Sequence, residues 1–296
     1  MDLLKPLKNS CFMVIKLLLR KYIYPIYIIC NKIINYKYLK HLKIYDYDRV
    51  IFNQRGNDIE YRRRNLNKIH NIKGKSIFIF GAGDGKEALS YFNYKPKKIV
   101  ITDFFNYDKE WVKIIKQGDL LGIKVEAYQC DIADLNSINE KFDVVSSEAT
   151  LEHLNNFNRC ISNLVGILKK GGVFYSTFGP VWYSWGGDHI SGRNDLQNGL
   201  NHLILDKKKY RNYIESFTND DQILWTNNNM FSYLETNQYF EVFKNLKLKL
   251  KYCSLIIDKR VLNPFRIKKV KTILERKKLN LSNLLVSGIT VIYENK

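Results

Sequence analysis

The sequence predicts an α/β fold built around a doubly wound, largely parallel sheet, on three observations. From residue 75 onward, short apolar runs alternate with segments of helical length. The first run, Ser76–Phe80 (SIFIF), is bounded by Gly81, as a strand covered on both faces would be. Glycine then recurs at Gly81, Gly83 and Gly85, where that strand must turn into a helix. Strands that alternate with helices imply βαβ units with right-handed crossovers.

Taken in order, residues 1–45 form an amphipathic extension. Leu4, Leu7, Cys11, Ile15 and Leu18 recur at helical spacing, with Lys5, Asn9, Lys16 and Arg20 opposite. Two readings stay open: a helix that packs on protein, or a helix lying in the plane of a membrane with basic flanks. The longest uncharged stretch there, Tyr22–Asn31, has ten residues and holds Pro25. A spanning helix needs ~20 apolar residues. Residues 46–74 are polar and read as a helix and linker, with Arg62-Arg63-Arg64 expected on a solvated helix face.

The domain proper, 75–296, then begins. Lys86–Tyr94 reads as a helix stopped before Pro96, and Ile99–Thr102 as a second strand. Lys109–Leu121 is a helix with Trp111, Ile114 and Ile115 on its apolar side, ended by Gly122. Lys124–Tyr128 and Phe142–Ser146 read as strands three and four. Phe157–Leu168 is a helix running into Lys169-Lys170-Gly171-Gly172, and Val173–Phe178 is strand five.

Composition sets bounds on function. The 296 residues are 45% apolar and 26% charged, which excludes a mainly disordered chain. The formal net charge is +19, and Lys outnumbers Arg 36 to 12. A bias toward Lys, Asn, Ile and Tyr is what AT-rich codons supply, spread over the whole surface. The charge alone therefore selects neither nucleic acid nor membrane. The five cysteines are odd in number and none has Cys-x-x-Cys spacing. Neither a disulfide framework nor a metal site is expected, and a reducing cytoplasm is the simplest compartment.

The densest chemical signal is Gly81-Ala82-Gly83-Asp84-Gly85, directly after strand one. Such a turn lets backbone approach a ligand, and the following helix offers free N–H groups. A dinucleotide turn would place glycines at i, i+2 and i+5, but position 86 is Lys. Strand two ends in Asp103, whose ionised carboxylate can accept from both hydroxyls of a ribose. Asp131 and Ile132 follow strand three, where a carboxylate can accept from an exocyclic amine and an apolar side chain can cover a ring.

As a set these residues resemble the class I S-adenosylmethionine-dependent methyltransferases. The resemblance rests on Ile79–Gly85, Asp103, Asp131-Ile132, Phe142–Ser146 with Leu151–Leu154, and Leu168–Val173, and it spans about residues 75–180. It implies a Rossmann-like, seven-stranded sheet of order 3-2-1-4-5-7-6 with the last strand antiparallel. Leu248–Ile257 and Leu284–Tyr293 would supply the closing pair, in 247–296, with Tyr233–Lys244 a helix before them. It implies S-adenosylmethionine as cofactor. Gly81, Ala82, Gly83 and Gly85 would meet its methionine part, Asp103 its ribose, and Asp131 and Ile132 its adenine. Ser147 would face the sulfonium. The family usually has an acidic residue two before the first glycine, where this chain has Ile79.

The acceptor is expected in residues 181–246. Trp182, Tyr183 and Trp185 stand in a glycine-punctuated loop after strand five and read as substrate-binding residues. His189 reads as the general base, oriented by Asp188. The tetrapeptide typical of base methylation in nucleic acids is absent, since Ser146-Ser147-Glu148-Ala149 stands there. The loop is similar to those of bacterial methyltransferases for small metabolites and cell-surface sugars, so O-methylation of such an acceptor is the expected reaction. RNA or lipid methylation is the alternative. A nicotinamide oxidoreductase and an inactive membrane-associated binding protein are further alternatives.

Overall fold

In SIFIF, Ile77 and Ile79 fall on one face of a strand while Phe78 and Phe80 fall on the other, and all four are buried. The fold is built outward from this strand. The computed structural model describes residues 39, 42, 50–53, 58–135, 138–193, 198–216 and 230–296. The chain divides into two compact units, residues 1–42 and 43–296. The expected amphipathic helix of residues 1–45 and its membrane contact lie outside the described residues. Among the described residues, no helix is long and apolar enough to cross a membrane.

The second unit holds a sheet of eight strands: β1 (Val50–Asn53), β2 (Ser76–Phe80), β3 (Lys98–Asp103), β4 (Lys124–Gln129), β5 (Phe142–Glu148), β6 (Leu168–Phe178), β7 (Lys249–Ile257) and β8 (Val286–Glu294). Their order is β1-β7-β8-β6-β5-β2-β3-β4, with β8 antiparallel to both β6 and β7. The seven expected strands keep the expected order. The eighth, β1, corrects the reading of 46–74 as helix and linker: it pairs parallel with β7, Val50 opposite Cys253. Four residues at a sheet edge, set in a charged stretch, carry too short a pattern to stand out. β6 also starts at Leu168, five residues earlier than expected, with an irregular register between Phe142 and Val144 of β5.

Helices cover both faces. Toward the Ile77/Ile79 face, α1 (Ile59–Ile69), α2 (Lys86–Phe92) and α3 (Asp108–Leu120) contribute Leu66, Ala88, Tyr91, Trp111 and Ile114 to one aliphatic-rich core. The opposite face is aromatic. Phe80 meets Phe174, and Phe174 meets Phe243 of α5 (Thr236–Asn245), which stacks on Tyr293 at 4.5 Å between ring centres. Phe157, at the start of α4 (Phe157–Gly166), packs edge-on against Tyr239. Offset and edge-on aromatic contacts of this kind add about 0.5–1.5 kcal/mol each beyond area burial.

The arginine triplet of α1 is not a uniformly solvated face. Arg64 is exposed, but Arg63 is fully buried under the sheet. Its guanidinium lies 3.1 Å from Glu87 and 2.9 Å from Glu148, donates to Ser90 at 2.7 Å, and stacks 4.1 Å from the Tyr91 ring centre. Arg62 meets the other oxygen of Glu148 at 2.7 Å. A buried guanidinium is tolerable when carboxylates and a hydroxyl meet most of it; here Nε and Nη2 are paired, while Nη1 has no partner among the described residues. Spacing along α1 alone does not reveal those partners, which come from α2 and β5.

One polar cluster pins the amino-terminal ends of three strands. Asp143 accepts from the Ser76 N–H at 2.9 Å and from Lys169 at 2.9 Å, joining β5 to β2 and β6. Burial pulls the Asp143 carboxyl upward, but Lys169 and Ser76 outweigh it and hold it well below its usual 3.8. A carboxyl lowered by folding stabilises the native state above its unfolded value, and that stability is lost as pH falls through the folded value. Asp143→Asn is therefore expected to reduce stability at neutral pH. It should also flatten the acid side of the stability–pH curve below about pH 4, measured by denaturant titration across pH.

Candidate functional site: a glycine turn and an adjoining cavity

The carboxyl ends of β2, β3, β4 and β5 line one edge of the sheet, where open α/β folds bind ligands. After β2 the chain turns through Gly81, Gly83 and Gly85, with φ of 62°, 51° and 86°. These are left-handed conformations that favour glycine. A Cβ on Gly81 would stand 2.2 Å from the Thr150 hydroxyl oxygen. A Cβ on Gly83 would meet nothing within 4 Å, so that side of the turn is open. Ala82 is held by its N–H on the Thr102 carbonyl at 3.0 Å.

Asp103, at the end of β3, is drawn into the same turn. One oxygen accepts the Gly83 N–H at 2.8 Å and the other accepts the Phe105 N–H at 2.9 Å. Trp111 of α3 donates its indole N–H to the Gly83 carbonyl at 2.8 Å. The turn and the carboxylate are thus one rigid piece, and an ionised carboxylate retains further acceptor capacity. After β4, Asp131 is exposed and accepts the Ala133 N–H at 2.8 Å, while Ile132 is buried. Asn163 of α4 steadies this loop by donating to the carbonyls of Ile132 and Ala133.

Ser147, one residue before the end of β5, is fully buried, and its hydroxyl has no partner among the described residues. Ser176, its register partner on β6, is in the same state. Buried hydroxyls without partners are uncommon, and a bound ligand or water is one way to satisfy them. An open glycine turn, a carboxylate fixed beside it, and an unsatisfied hydroxyl at the next strand end suit a ligand with a sugar and a polar amino-acid portion.

Beyond these groups, the adjoining ends of β5, β6, β7 and β8 line an open cavity of about 390 Å³. Glu148, Thr177, Trp185, Asp258, Arg62 and Arg260 line it. Of the three aromatic residues expected to bind substrate, only Trp185 is on its wall. Arg260 and Arg266 stack over that indole at 5.0 and 4.6 Å. Trp182 packs instead against Tyr233 at 4.5 Å and Phe231 at 4.9 Å. Tyr183 is half-buried, and that burial raises its phenol. Neither residue is among those lining the cavity.

The expected Asp188–His189 pair is rearranged. Asp188 is fully buried and spends its oxygens on its own loop. It accepts from the N–H groups of Ile190 and Ser191, the Ser191 hydroxyl at 2.7 Å and the Tyr210 hydroxyl at 2.9 Å. The imidazole beside it is that of His202, at 3.7 Å. Asp188 therefore acts as the anchor of this loop. His189 sits with φ of 61°, its ring 4.9 Å from that of His153 and 5.6 Å from Phe231. Burial, reinforced by His153, pushes the His189 imidazole down to about 3. It does not line the cavity.

Several cavity residues escape the sequence reading. Asp258 directly follows β7, so the strand-end rule that finds Asp103 could have found it. Arg62 lies ahead of the expected domain boundary, in the arginine triplet expected to face solvent.

Residues 79–176 match the family model described as a methyltransferase domain. A comparison with curated proteins finds no match. Among solved structures, one similar chain is a Galdieria sulphuraria protein provisionally named a sarcosine dimethylglycine methyltransferase. It is 10% identical, with 80% of this chain and 85% of that one covered and a TM-score of 0.50. The YcgJ protein of Bacillus subtilis is 12% identical over 80% of this chain and 99% of that one, at a TM-score of 0.48. The Haemonchus contortus phosphoethanolamine N-methyltransferase 2, solved with S-adenosyl-L-methionine, is 12% identical over 79% of this chain and 52% of that one, also at 0.48. The family match runs from β2 into β6, the strands whose ends carry the glycine turn, Asp103 and Ser147, so this part of the chain is similar to a methyltransferase domain.

Proposed function

We propose that the chain methylates a hydroxyl of a small, polar acceptor, a metabolite or a sugar unit, held in the cavity beside Glu148. The observation that carries this reading is the cavity itself. Its 390 Å³ suits a small ligand. Its wall sets one indole, Trp185, against carboxylates, guanidinium groups and a hydroxyl. That mixture matches the apolar faces and multiple hydroxyls of a sugar.

In this reading the turn from Gly81 to Gly85, including Ala82, seats the methionine part of the cofactor. Asp103 accepts from the ribose, Asp131 and Ile132 hold the adenine, and Ser147 supplies a hydroxyl at the reactive end. S-Adenosylmethionine supplies a methyl group already activated on a sulfonium. The protein's work is then mainly alignment, which can contribute about 7–11 kcal/mol. Glu148 ends β5 next to Ser147 and reaches the cavity, with Arg62, Arg63 and Tyr175 fixing its orientation. It takes the acceptor proton in place of His189, which lies outside the cavity.

Glu148→Gln is expected to lower kcat by about 10²–10⁴-fold while cofactor affinity changes little, read from kinetics and calorimetry on the same preparation. Mass spectrometry of sugar, metabolite, lipid and RNA pools incubated with methyl-labelled cofactor tests the acceptor class. A label on a small hydroxylated compound supports the reading, and a label confined to RNA or lipid overturns it.

A further inference from the structure

A second constellation lies behind the cavity wall. Glu152 and His153 stand on the 3-10 turn Leu151–His153 after β5, and His189 stands on the loop after β6. Each offers one ligand atom, and the three atoms lie within 4.8 Å of one another. The sequence places these residues up to 37 positions apart, and no spacing rule joins them.

The surroundings are those of a cation site. Glu152 is 1% exposed. One of its oxygens accepts the Gly179 N–H at 2.8 Å, and the other is buried with no partner among the described residues. A buried carboxylate oxygen left unpaired is expensive, and a cation is the partner that best offsets the cost. The Nδ1 of His153 lies 2.8 Å from the Met230 carbonyl oxygen. A carbonyl can only accept, so Nδ1 is the donor, which in the neutral tautomer places the lone pair on Nε2. A ligating histidine is commonly braced in this way, with its other ring nitrogen donating to a carbonyl. Phe231 packs on both imidazoles, at 5.2 and 5.6 Å, and limits their rotation. His189 is held at a φ of 61°, a conformation uncommon outside glycine and enriched at functional sites.

We propose that Glu152, His153 and His189 bind a divalent transition-metal ion of the zinc class, which clasps the turn after β5 to the loop after β6. Two imidazoles and one carboxylate favour such an ion over magnesium or calcium, which prefer all-oxygen sets. Three protein ligands leave a further position open, as in catalytic rather than purely structural zinc sites. Metal–ligand bonds of about 2.0–2.2 Å require the ligand atoms to close in somewhat. The two half-buried imidazoles can make that movement by side-chain rotation. Gly179 links the clasp to the cavity, since it donates to Glu152 and lines the cavity wall.

The test is cobalt(II) and zinc(II) titration of the full chain after chelator treatment, read by visible absorption and calorimetry, so that no turnover is needed. One equivalent should bind with the absorption of a low-coordinate cobalt site, and zinc should displace it. His189→Asn and Glu152→Gln should each weaken binding by at least about 10–100-fold, while His70→Asn leaves it unchanged. Thermal melts of each variant identify any that fails to fold. If Glu152→Gln does so, His189→Asn and the wild-type stoichiometry decide. Wild-type protein that binds no stoichiometric metal, or binding that survives in folded His189→Asn, overturns the proposal.

Discussion

Arg63→Met is expected to destabilise the protein by about 3–5 kcal/mol, the usual consequence of removing one partner from a buried ion pair. For a chain of this size that corresponds to a fall in Tm of roughly 6–20 °C. The reason is what the substitution leaves behind. Glu87 and Glu148 both face the Arg63 guanidinium, which is fully buried between Tyr91 and Tyr175. Methionine restores much of the volume but none of the charge, so two carboxylates remain with one compensating cation, Arg62, reaching only Glu148. Ser146 also donates to Glu87, so the disturbance passes into β5 beside Ser147. Denaturant unfolding followed by circular dichroism measures the loss. Glu87→Gln added to Arg63→Met should recover part of it, because the two residues share one network. A loss below about 1 kcal/mol, in the range of an exposed pair, would show that the network does not hold α1 to the sheet.

Asp103→Ala is expected to weaken S-adenosylmethionine binding by about 100-fold, or ~2.7 kcal/mol. Hydrogen bonds to a charged group contribute about 1.5–3 kcal/mol each, and a ribose offers two hydroxyls. Some of the effect arrives indirectly, since the same carboxylate fixes the Gly83 N–H and so the shape of the turn. Asp103→Asn separates the two contributions. It keeps one acceptor oxygen and loses the charge, and its expected loss is about 10-fold. Asp131→Ala serves as a comparison: its side chain is exposed and caps its own loop, so the expected loss is only a few-fold. Calorimetric titration with S-adenosylmethionine and S-adenosylhomocysteine reads all three.

The parts of the site that the sequence reveals are those where structure and chemistry are adjacent in the chain. A buried strand, a glycine and a carboxylate at the next strand end form a local pattern, so the turn, Asp103 and Asp131 could be located from their neighbours, whereas Ser147 follows only from the family resemblance. The order of seven of the eight strands is the one the family resemblance implies; β1 lies outside it, and its four residues give no periodicity to detect. What stays hidden depends on distant partners. Arg63 looks like one of three surface arginines until Glu87, Glu148 and the two tyrosines surround it. Asp188 and His189 are neighbours in sequence, yet the chain turns one toward Ser191, Tyr210 and His202 and the other toward His153 and Phe231. Adjacency along the chain is a poor guide to pairing in a loop, where no regular geometry fixes the direction of successive side chains. Strand ends are more legible because the pleat fixes which side chains share a face.

The central claim is that the edge formed by Gly81–Gly85, Asp103 and Ser147 is a cofactor cradle. Isothermal titration of the folded full chain with S-adenosylhomocysteine tests it most directly, since binding there requires neither the acceptor nor turnover. Saturable binding of one molecule per chain is expected, weakened in Asp103→Ala and unchanged in His70→Asn. Folded protein that binds neither S-adenosylhomocysteine nor S-adenosylmethionine would contradict it.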